Sequence, residues 1–318
     1  MARRETSTNG GGATAPGCTT ETLDLHFQGR PHAIASFLLS GDGEAALIES
    51  GPGSTLTALM RGLAASGVEP ELVTKILLTH IHLDHAGAAG ELTELLPNAV
   101  VYVHGIGAPH LLDPSRLLRS ADRIYGDQMD PLWGTMHPVP EKRLVVLEDG
   151  DVVEAAGRTL RAIYTPGHAS HHVAFHDADA GVLFAGDVAG VRLPGLDRVM
   201  PPTPPPELNL ELWSESINRM LALDLNTLYL THYGPVHNVA DHLDELHIRM
   251  YSWGELVLGG MRAGKSAEQL AADLEQRADD DLAATVRDPE LRARFRLVSG
   301  NAMNVAGYLR YYTKRGER

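Results

Sequence analysis

Four potential metal ligands stand close together in the segment Thr79–Gly87, which reads THIHLDHAG. In an extended chain, residues two positions apart share a face, so His80 and His82 can point at one metal ion. Asp84 and His85 lie past the turn and can face a second ion beside the first. Imidazole and carboxylate ligands without thiolate suit zinc, iron or manganese, and a ligand position left open suits catalysis. The HxHxDH spacing therefore predicts a catalytic metal site.

Three further metal-binding candidates each follow a predicted strand. His168 stands in TPGH after the strand TLRAIYT, Asp187 stands in AGD after VLF, and His232 stands in THYG after NTLYL. A single histidine at such a place is more often a surface or core residue. A site built on a sheet, however, collects side chains from the ends of several strands. We therefore expect these three residues to join the HxHxDH residues.

The elements that must carry these residues alternate between strand and helix up to about residue 235. Short apolar, β-branched runs such as VTKILLTH and AVVYVH predict buried strands. After Val236 the strands stop, and amphipathic helices are predicted at 238–258, 266–277 and 291–312. We expect an α/β fold with a flexible tail at 1–20, a metal-binding domain at 21–237 and a helical subdomain at 238–318.

The composition excludes several functions. Lysine and arginine total 27 against 41 aspartates and glutamates, a formal charge of −14 at pH 7, so a nucleic-acid partner is not expected. Cys18 is the single cysteine, which excludes an intrachain disulfide and a thiolate metal site and fits a cytoplasmic protein. The chain starts without an apolar signal sequence and has no run of ~18 apolar residues, so no membrane association is expected.

The order HxHxDH, TPGH, GD and a late TH resembles that of the metallo-β-lactamase superfamily, from about residue 22 to 237. The family's LIDTGPG element is matched by LIESGPG, where Glu49 replaces the usual Asp at a position that is not a metal ligand. The resemblance implies an αββα sandwich of two mixed sheets flanked by helices, with a dinuclear site at one edge. It also implies that His80, His82 and His168 bind one ion, that Asp84, His85 and His232 bind the other, and that Asp187 bridges them.

The resemblance further implies a hydrolase. His85 together with Asp187 resembles the glyoxalase II-like and lactonase-like branches, which hydrolyse thioesters and lactones, and a helical C-terminal segment is also glyoxalase II-like. The sequence THYGP around His232 differs from the GHE common in glyoxalase II. Two divalent ions, zinc first and iron or manganese second, would supply a metal-bound hydroxide to an ester, thioester, lactone or phosphoester. Asp84 would be the catalytic residue that binds metal and orients the water or accepts its proton.

Two other functions stay open on the same fold. A mononuclear iron persulfide dioxygenase would use His80, His168 and Asp187, and a non-catalytic module would bind metal without turnover. A serine nucleophile is not expected, because the chain has no G-x-S-x-G sequence.

Two histidines that follow the TPGH sequence have different expected roles. His172 matches a second histidine in the family's TPGHTxGH motif, and we expect it to orient a ligand or to pack in the core. His171 is expected to face solvent.

Loops are expected to select a small-molecule substrate. Segment 119–133, which contains Tyr125, is either a lid over the site or a helix packed on the sheet. Arg192 could meet an anionic substrate or form a surface ion pair, and Tyr233 could be an oxyanion donor or packing. The apolar stripe of the C-terminal helices is expected to pack internally, with a substrate-pocket wall or a homodimer contact as alternatives.

Overall fold

The computed structural model describes residues 17–196, 198–283, 286–287, 292 and 300–317. Within them the strands are β1 (Thr19–Asp24), β2 (Ala35–Gly41), β3 (Glu44–Ile48), β4 (Val73–Leu77), β5 (Val100–His104), β6 (Leu144–Leu147), β7 (Val152–Ala155), β8 (Arg158–Tyr164), β9 (Val173–Asp177), β10 (Val182–Phe184), β11 (Val191–Arg192), β12 (Val199–Met200), β13 (Thr227–Leu230) and β14 (Gly234–Val236). The α-helices are α1 (Leu56–Ala65), α2 (Leu83–Ala86), α3 (Ala89–Leu95), α4 (Ala108–Leu112), α5 (Ser115–Tyr125), α6 (Met129–Trp133), α7 (Leu210–Leu221), α8 (Val239–Arg262), α9 (Ala267–Ala283) and α10 (Asn301–Lys314).

The strands of the described residues form two six-stranded mixed sheets and one small ribbon. The first sheet has the order β1-β2-β3-β4-β5-β6, with β1 to β3 antiparallel and β3 to β6 parallel. The second has the order β14-β13-β10-β9-β8-β7, in which β10 and β13 are parallel and the other pairs antiparallel. The ribbon pairs β11 with β12. Parallel neighbours need crossover connections, and helices such as α1, between β3 and β4, supply them.

Alternation along the strands divides the apolar side chains among three cores. Phe37 of β2 points between the two sheets, where its ring lies 5.6 Å from that of Phe184 in β10. Leu38, the next residue, points to the opposite face and packs in the core that α1 and α3 share with the first sheet. Leu183 of β10 likewise faces away from the other sheet, towards α7 and α8. The two sheets therefore lie face to face, with helices on both outer faces.

The C-terminal helices extend the outer core of the second sheet. Leu243 and Trp253 of α8 lie in the same apolar cluster as Leu228 of β13. Tyr308 of α10 is fully buried in this cluster, and its hydroxyl donates to Met250 O of α8 at 2.6 Å. One continuous core thus joins these helices to the sandwich.

The predicted fold class, an α/β αββα sandwich with C-terminal helices, is confirmed. The change from strand to helix falls where it was predicted, because β14 ends at Val236 and α8 begins at Val239. The division into separate domains stays a prediction.

Several boundaries differ from the sequence-based expectation. The helices predicted at 238–258 and 266–277 end later, at Arg262 and Ala283. The first strand begins at Thr19, inside the tail expected at 1–20, because Thr19 pairs with Ser40 of β2. Residues 1–16 of that tail lie outside the described residues. The last helix, expected at 291–312, is α10 at Asn301–Lys314; residue 291 and residues 293–299 also lie outside the described residues.

Candidate metal centre

The seven predicted metal ligands meet at one edge of the sandwich, although four separate segments carry them. The segment after β4 contributes four, the last two of them within α2. His168 lies in the loop between β8 and β9, Asp187 in the turn after β10, and His232 between β13 and β14. Strands of both sheets end at this edge, so the residues that follow them converge.

The first group of ligand atoms contains three imidazole nitrogens. His82 Nδ1 lies 2.9 Å from His80 Nε2 and 3.0 Å from His168 Nε2. Asp187 Oδ2 lies 3.4 Å from His168 Nε2 and adds a carboxylate oxygen. Each of these four side chains offers one atom within 4.8 Å of the others.

The second group combines two imidazoles with carboxylates. Asp84 Oδ2 lies 3.2 Å from His232 Nε2 and 3.7 Å from His85 Nε2. Asp187 Oδ1 lies 3.3 Å from His85 Nε2 and 3.5 Å from His232 Nε2. The two oxygens of Asp187 therefore face different groups.

The second group has the dimensions and donor atoms of a divalent cation site. Ligands at about 2.0–2.1 Å from a tetrahedral zinc ion are separated by about 3.3–3.4 Å, and the distances above range from 3.2 to 3.7 Å. His85 Nε2 and Asp187 Oδ1 are also buried without a hydrogen-bond partner. Because such atoms are costly to leave unpaired, two of them so close together fit a site that could hold a cation.

Backbone carbonyls orient two of the imidazoles that are predicted to bind metal. His168 Nδ1 lies 2.8 Å from Pro202 O, and His232 Nδ1 lies 2.8 Å from Ala33 O. A carbonyl oxygen only accepts, so both imidazoles donate from Nδ1. Each of them thereby keeps the lone pair of Nε2 directed into the site.

Glu49 is a buried acceptor beneath the second group. Its carboxylate accepts from His85 Nδ1 at 2.9 Å, from Thr231 Oγ1 at 3.2 Å and from the Thr79 hydroxyl. Thr79 N also donates to Glu49 Oε2 at 3.2 Å, and Thr79 Oγ1 lies 3.0 Å from His80 Nδ1. Since Thr79 and Thr231 each precede a predicted ligand, one carboxylate links two of the ligand segments.

His172 positions Asp187 through its backbone. Its Nδ1 lies 2.8 Å from Thr165 Oγ1, and its Nε2 accepts from Asp187 N at 3.2 Å. Gly186, just before Asp187, has a φ of +50°, and a Cβ there would lie 2.8 Å from His172 Nε2. Glycine is required at this position by both the conformation and the space. Of the two roles expected for His172, orienting a ligand or packing in the core, the hydrogen bond from Asp187 N favours the first.

The electrostatic environments of the two groups differ. Burial lowers the pKa of His80 well below its usual value and that of His82 to about 4, so both are neutral at pH 7. Burial also lowers the pKa of His85, but the carboxylates of Asp187 and Glu49 outweigh it and raise that pKa well above its usual value. This concentration of negative charge is what a bound divalent cation would neutralise.

The site opens to solvent at Asp84, whose side chain is 24% exposed against 6% for Asp187. Burial, and after it the negative charge of Asp84, raises the pKa of the Tyr125 hydroxyl in α5 to about 12. Its ring packs edge-on against Trp133 of α6, with the centroids 5.1 Å apart. Of the two alternatives for segment 119–133, the structure shows helices packed on the core of the first sheet.

Tyr233 and Arg192 lie together in a cleft of about 430 Å³ between β1 and the ends of β11, β13 and β14. The ring of Tyr233 packs edge-on against His32, with the centroids 4.9 Å apart. Arg192 Nε donates to Leu196 O at 3.0 Å, and its guanidinium also donates to Asn238 Oδ1 at 3.2 Å. Arg192 and Tyr233 thus line the same cleft, and Tyr125 is not among its lining residues. The substrate-binding role of all three residues stays a prediction.

The expectation that His171 faces solvent is wrong. The residue is 5% exposed, and its ring stacks on that of His80 with the centroids 5.9 Å apart. Its Nδ1 accepts from Ile81 N at 3.4 Å. A turn in which His172 N donates to Ala169 O reverses the chain here, so the two-residue alternation of a strand does not apply. The sequence feature that could have indicated a buried His171 is the pair of adjacent histidines after TPGH.

Several known proteins with a similar sequence are named as hydrolases. A family model described as the metallo-beta-lactamase superfamily matches residues 29–232. An atrochrysone carboxyl ACP thioesterase of Aspergillus fumigatus is 28% identical over 212 residues, which are 66% of this chain and 54% of that protein. A hydroxyacylglutathione hydrolase of Aeromonas salmonicida is 30% identical over 165 residues, 52% of this chain and 49% of that protein. The aligned region spans about half the length of these two relatives.

One known structure with a similar fold can be aligned with nearly all of this chain. A metallo-beta-lactamase family protein from Thermus thermophilus matches with a TM-score of 0.70 and 26% identity, covering 96% of this chain and 95% of that one. Among the described helices, none has the length and apolar character needed to cross a membrane. From the ligand order, the αββα sandwich and the match to the family model, we conclude that the chain belongs to the metallo-beta-lactamase superfamily.

Proposed function

We propose that this protein is a dinuclear metal-dependent hydrolase that acts on small thioesters. The observation that carries the proposal is the position of Asp187, whose Oδ2 faces His168 and whose Oδ1 faces His85 and His232. A carboxylate shared between two groups of ligand atoms fits two ions better than one. Zinc is the ion we expect, with iron or manganese as alternatives.

The proposed ligand set follows the two groups of atoms. One ion would be held by His80, His82 and His168 and the other by Asp84, His85 and His232, with Asp187 offering one oxygen to each group. The names of two relatives support a thioester substrate: one is an ACP thioesterase, and the other hydrolyses hydroxyacylglutathione, which is itself a thioester.

The residues of this chain would orient the reactants. Two divalent ions would lower the pKa of a bound water to about 7 and polarise the carbonyl oxygen of the substrate. Burial would raise the pKa of Asp84, but His85 and His232 hold it well below its usual value, so its carboxylate can accept a hydrogen bond from water. Tyr125, with its pKa raised to about 12, stays protonated and can donate to the substrate at the open side.

Metal content and activity of one ligand variant test the proposal. In His82→Ala we expect less bound metal and a lower kcat/KM for a thioester substrate. This loss of kcat/KM should exceed the loss of about 10- to 100-fold that is typical when a residue behind the ligands is changed. His137→Ala is the matched control, because its side chain is 40% exposed outside the cluster. A lactone and a phosphodiester assayed alongside define the substrate class. Unchanged activity in His82→Ala would refute the proposal.

The mononuclear dioxygenase is the second function to separate. It would require iron at His80, His168 and Asp187 and oxygen uptake with a persulfide. The second group of ligand atoms favours the hydrolase, because a mononuclear site does not need it. A non-catalytic module would bind metal and turn over none of the activated esters.

The free, buried thiol of Cys18 supports a reducing, cytoplasmic location for the protein. A homodimer stays a prediction that sedimentation equilibrium tests, with a monomer as the contrary result.

A further inference from the structure

The residues PPTPPP at 201–206, here called the proline segment, connect the metal site to the C-terminal helices. Pro202 O accepts a hydrogen bond from His168 Nδ1 at 2.8 Å. This bond sets the plane of the imidazole and directs His168 Nε2 at the site, 3.4 Å from Asp187 Oδ2. The position of His168 Nε2 therefore depends on where the proline segment lies.

The proline segment has a single backbone donor with which it can be held. Proline has no N–H, so Thr203 N is the only backbone N–H between residues 201 and 206. Thr203 N donates to Asn304 Oδ1 of α10 at 2.8 Å. Thr203 Oγ1 also donates to Asn304 O at 3.2 Å, and both residues are buried. The one available amide is thus used to bind α10.

The same face of α10 contacts the rest of the proline segment. Gly307, one turn after Asn304, lies so close that a Cβ there would overlap Thr203 O and lie 2.8 Å from Thr203 C. Further along, Arg310 Nε and Lys314 Nζ donate to Pro206 O at 3.2 and 3.1 Å. These contacts recur at helical spacing, so they form one continuous stripe along α10.

Helix α10 is itself firmly anchored. Tyr308 donates to Met250 O of α8 at 2.6 Å, and Tyr311 donates to the carboxylate of Glu211 in α7 at 2.8 Å. The helix therefore provides a fixed surface against which the proline segment is held.

We propose that α10 is a positioning element for the metal ligand His168, acting through Asn304, Gly307 and the proline segment. This inference rests on the proposed function, because it requires a metal ion at His168. It assigns to the C-terminal helices a role in metal binding, although their own residues lie outside the two groups of ligand atoms. Residues that orient a ligand from behind typically change metal affinity by about 10- to 100-fold when they are lost.

Gly307→Ala tests the proposal with a single methyl group. Alanine favours a helix more than glycine does, so α10 itself should form normally, while the new Cβ displaces Thr203. Gly259→Ala in α8 is the matched control, because a Cβ there meets nothing within 4 Å. The measurement is the affinity of the metal-free full-length protein for Zn²⁺ at each of two sites, by competition with a chromophoric chelator.

We expect Gly307→Ala to bind one Zn²⁺ ion about 10- to 100-fold more weakly and to leave the other affinity unchanged. With one equivalent of Co²⁺, its absorption spectrum should match that of His168→Ala, which lacks the ligand itself. Gly259→Ala should bind both ions as the unchanged protein does.

A second pair of variants covers the case in which Gly307→Ala fails to fold. Asn304→Ala removes the acceptor for Thr203 N, whereas Asn304→Asp retains an oxygen in its place, near the N-terminus of α10 where negative charge is favourable. We expect the alanine variant to lose affinity at the same single site and the aspartate variant to regain it.

The outcomes separate this inference from the proposed function. If the unchanged protein binds no divalent ion, the proposed function is wrong, and the inference is lost with it. If it binds two ions and the Gly307 and Asn304 variants bind both as tightly as Gly259→Ala, only the inference is overturned. Equal weakening of both sites together with a lower melting temperature would indicate a general packing defect and would also overturn it.

Discussion

Glu49→Gln should weaken the second metal site while leaving the first in place. The buried Glu49 carboxylate accepts from His85 Nδ1 at 2.9 Å, from Thr231 Oγ1 at 3.2 Å, and from both the hydroxyl and the N–H of Thr79. Each of these four partners is a donor. Glutamine offers one oxygen in place of two, so its NH₂ group must face at least one of these donors.

The magnitude follows from the hydrogen bonds that glutamine cannot accept. Glutamine oriented with its oxygen towards His85 leaves Thr79 N facing an amide NH₂ group. A buried donor without an acceptor costs about 1–3 kcal/mol, which we expect as the loss in free energy of unfolding of the metal-free protein. Loss of a carboxylate behind a ligand histidine typically lowers metal affinity about 10- to 100-fold. That range corresponds to about 1.4–2.7 kcal/mol.

Urea unfolding of the metal-free protein and chelator competition with Zn²⁺ measure the two effects. Glu94→Gln makes the same chemical change at a side chain that is 70% exposed, and neither quantity should change. If Glu49→Gln bound both ions within twofold of the unchanged protein, the assignment of Glu49 as the residue that orients His85 would be wrong.

Three further predictions concern stability. His242 donates to Ala189 O at 2.8 Å, and burial lowers the pKa of its imidazole from 6.5 to about 4. As the pH drops, His242 is therefore protonated in the unfolded chain before it is protonated in the folded protein. The free energy of unfolding should fall between about pH 6.5 and pH 4. The loss in free energy of unfolding over this pH range should be about 3 kcal/mol, and His242→Gln, which keeps a donor, should reduce it. Urea unfolding at a series of pH values measures the loss. The same pH dependence in both proteins would show that His242 does not cause it. The buried guanidinium of Arg158 lies 2.9 Å from Asp177 Oδ2 and loses this partner in Asp177→Leu. We expect the free energy of unfolding, measured with urea, to fall by about 3–5 kcal/mol. A loss below about 1 kcal/mol would contradict this prediction. Removing metal with a chelator should lower the melting temperature, and Zn²⁺ at 100 times its Kd should restore about 2.7 kcal/mol per ion; a melting temperature independent of Zn²⁺ would argue against a resident metal.

That seven candidate metal ligands come together could be predicted from the sequence because these residues stand in local patterns. HxHxDH follows an apolar, β-branched strand, and the other three ligands each follow a strand as well. Strand alternation and helical spacing are local properties of the chain, so a mixed α/β fold could be predicted from them, whereas the αββα sandwich followed from the resemblance to the family. Asp84 and His85 were expected past the turn that ends the strand, but the helix α2 that carries them was not predicted.

The failure at His171 shows where local reasoning stops. The turn at Ala169 places this side chain against His80. The alternation of side chains along the neighbouring strands does not predict the conformation of such a turn. Similarly, segment 119–133 has an amphipathic composition that suits both a lid and a packed helix. Its packing against the first sheet decided between them.

The sequence by itself determined which side chains are available for metal binding and that they follow strands of a mixed sandwich. Only the tertiary structure decided how they are held. His232 donates to a carbonyl 199 residues away in the chain, at Ala33, and His168 to one 34 residues away, at Pro202. Backbone carbonyls are the same at every residue, so no sequence pattern marks the two that orient these ligands. The division of the Asp187 oxygens between two groups is likewise a matter of distance and direction, which arise when separate segments pack together.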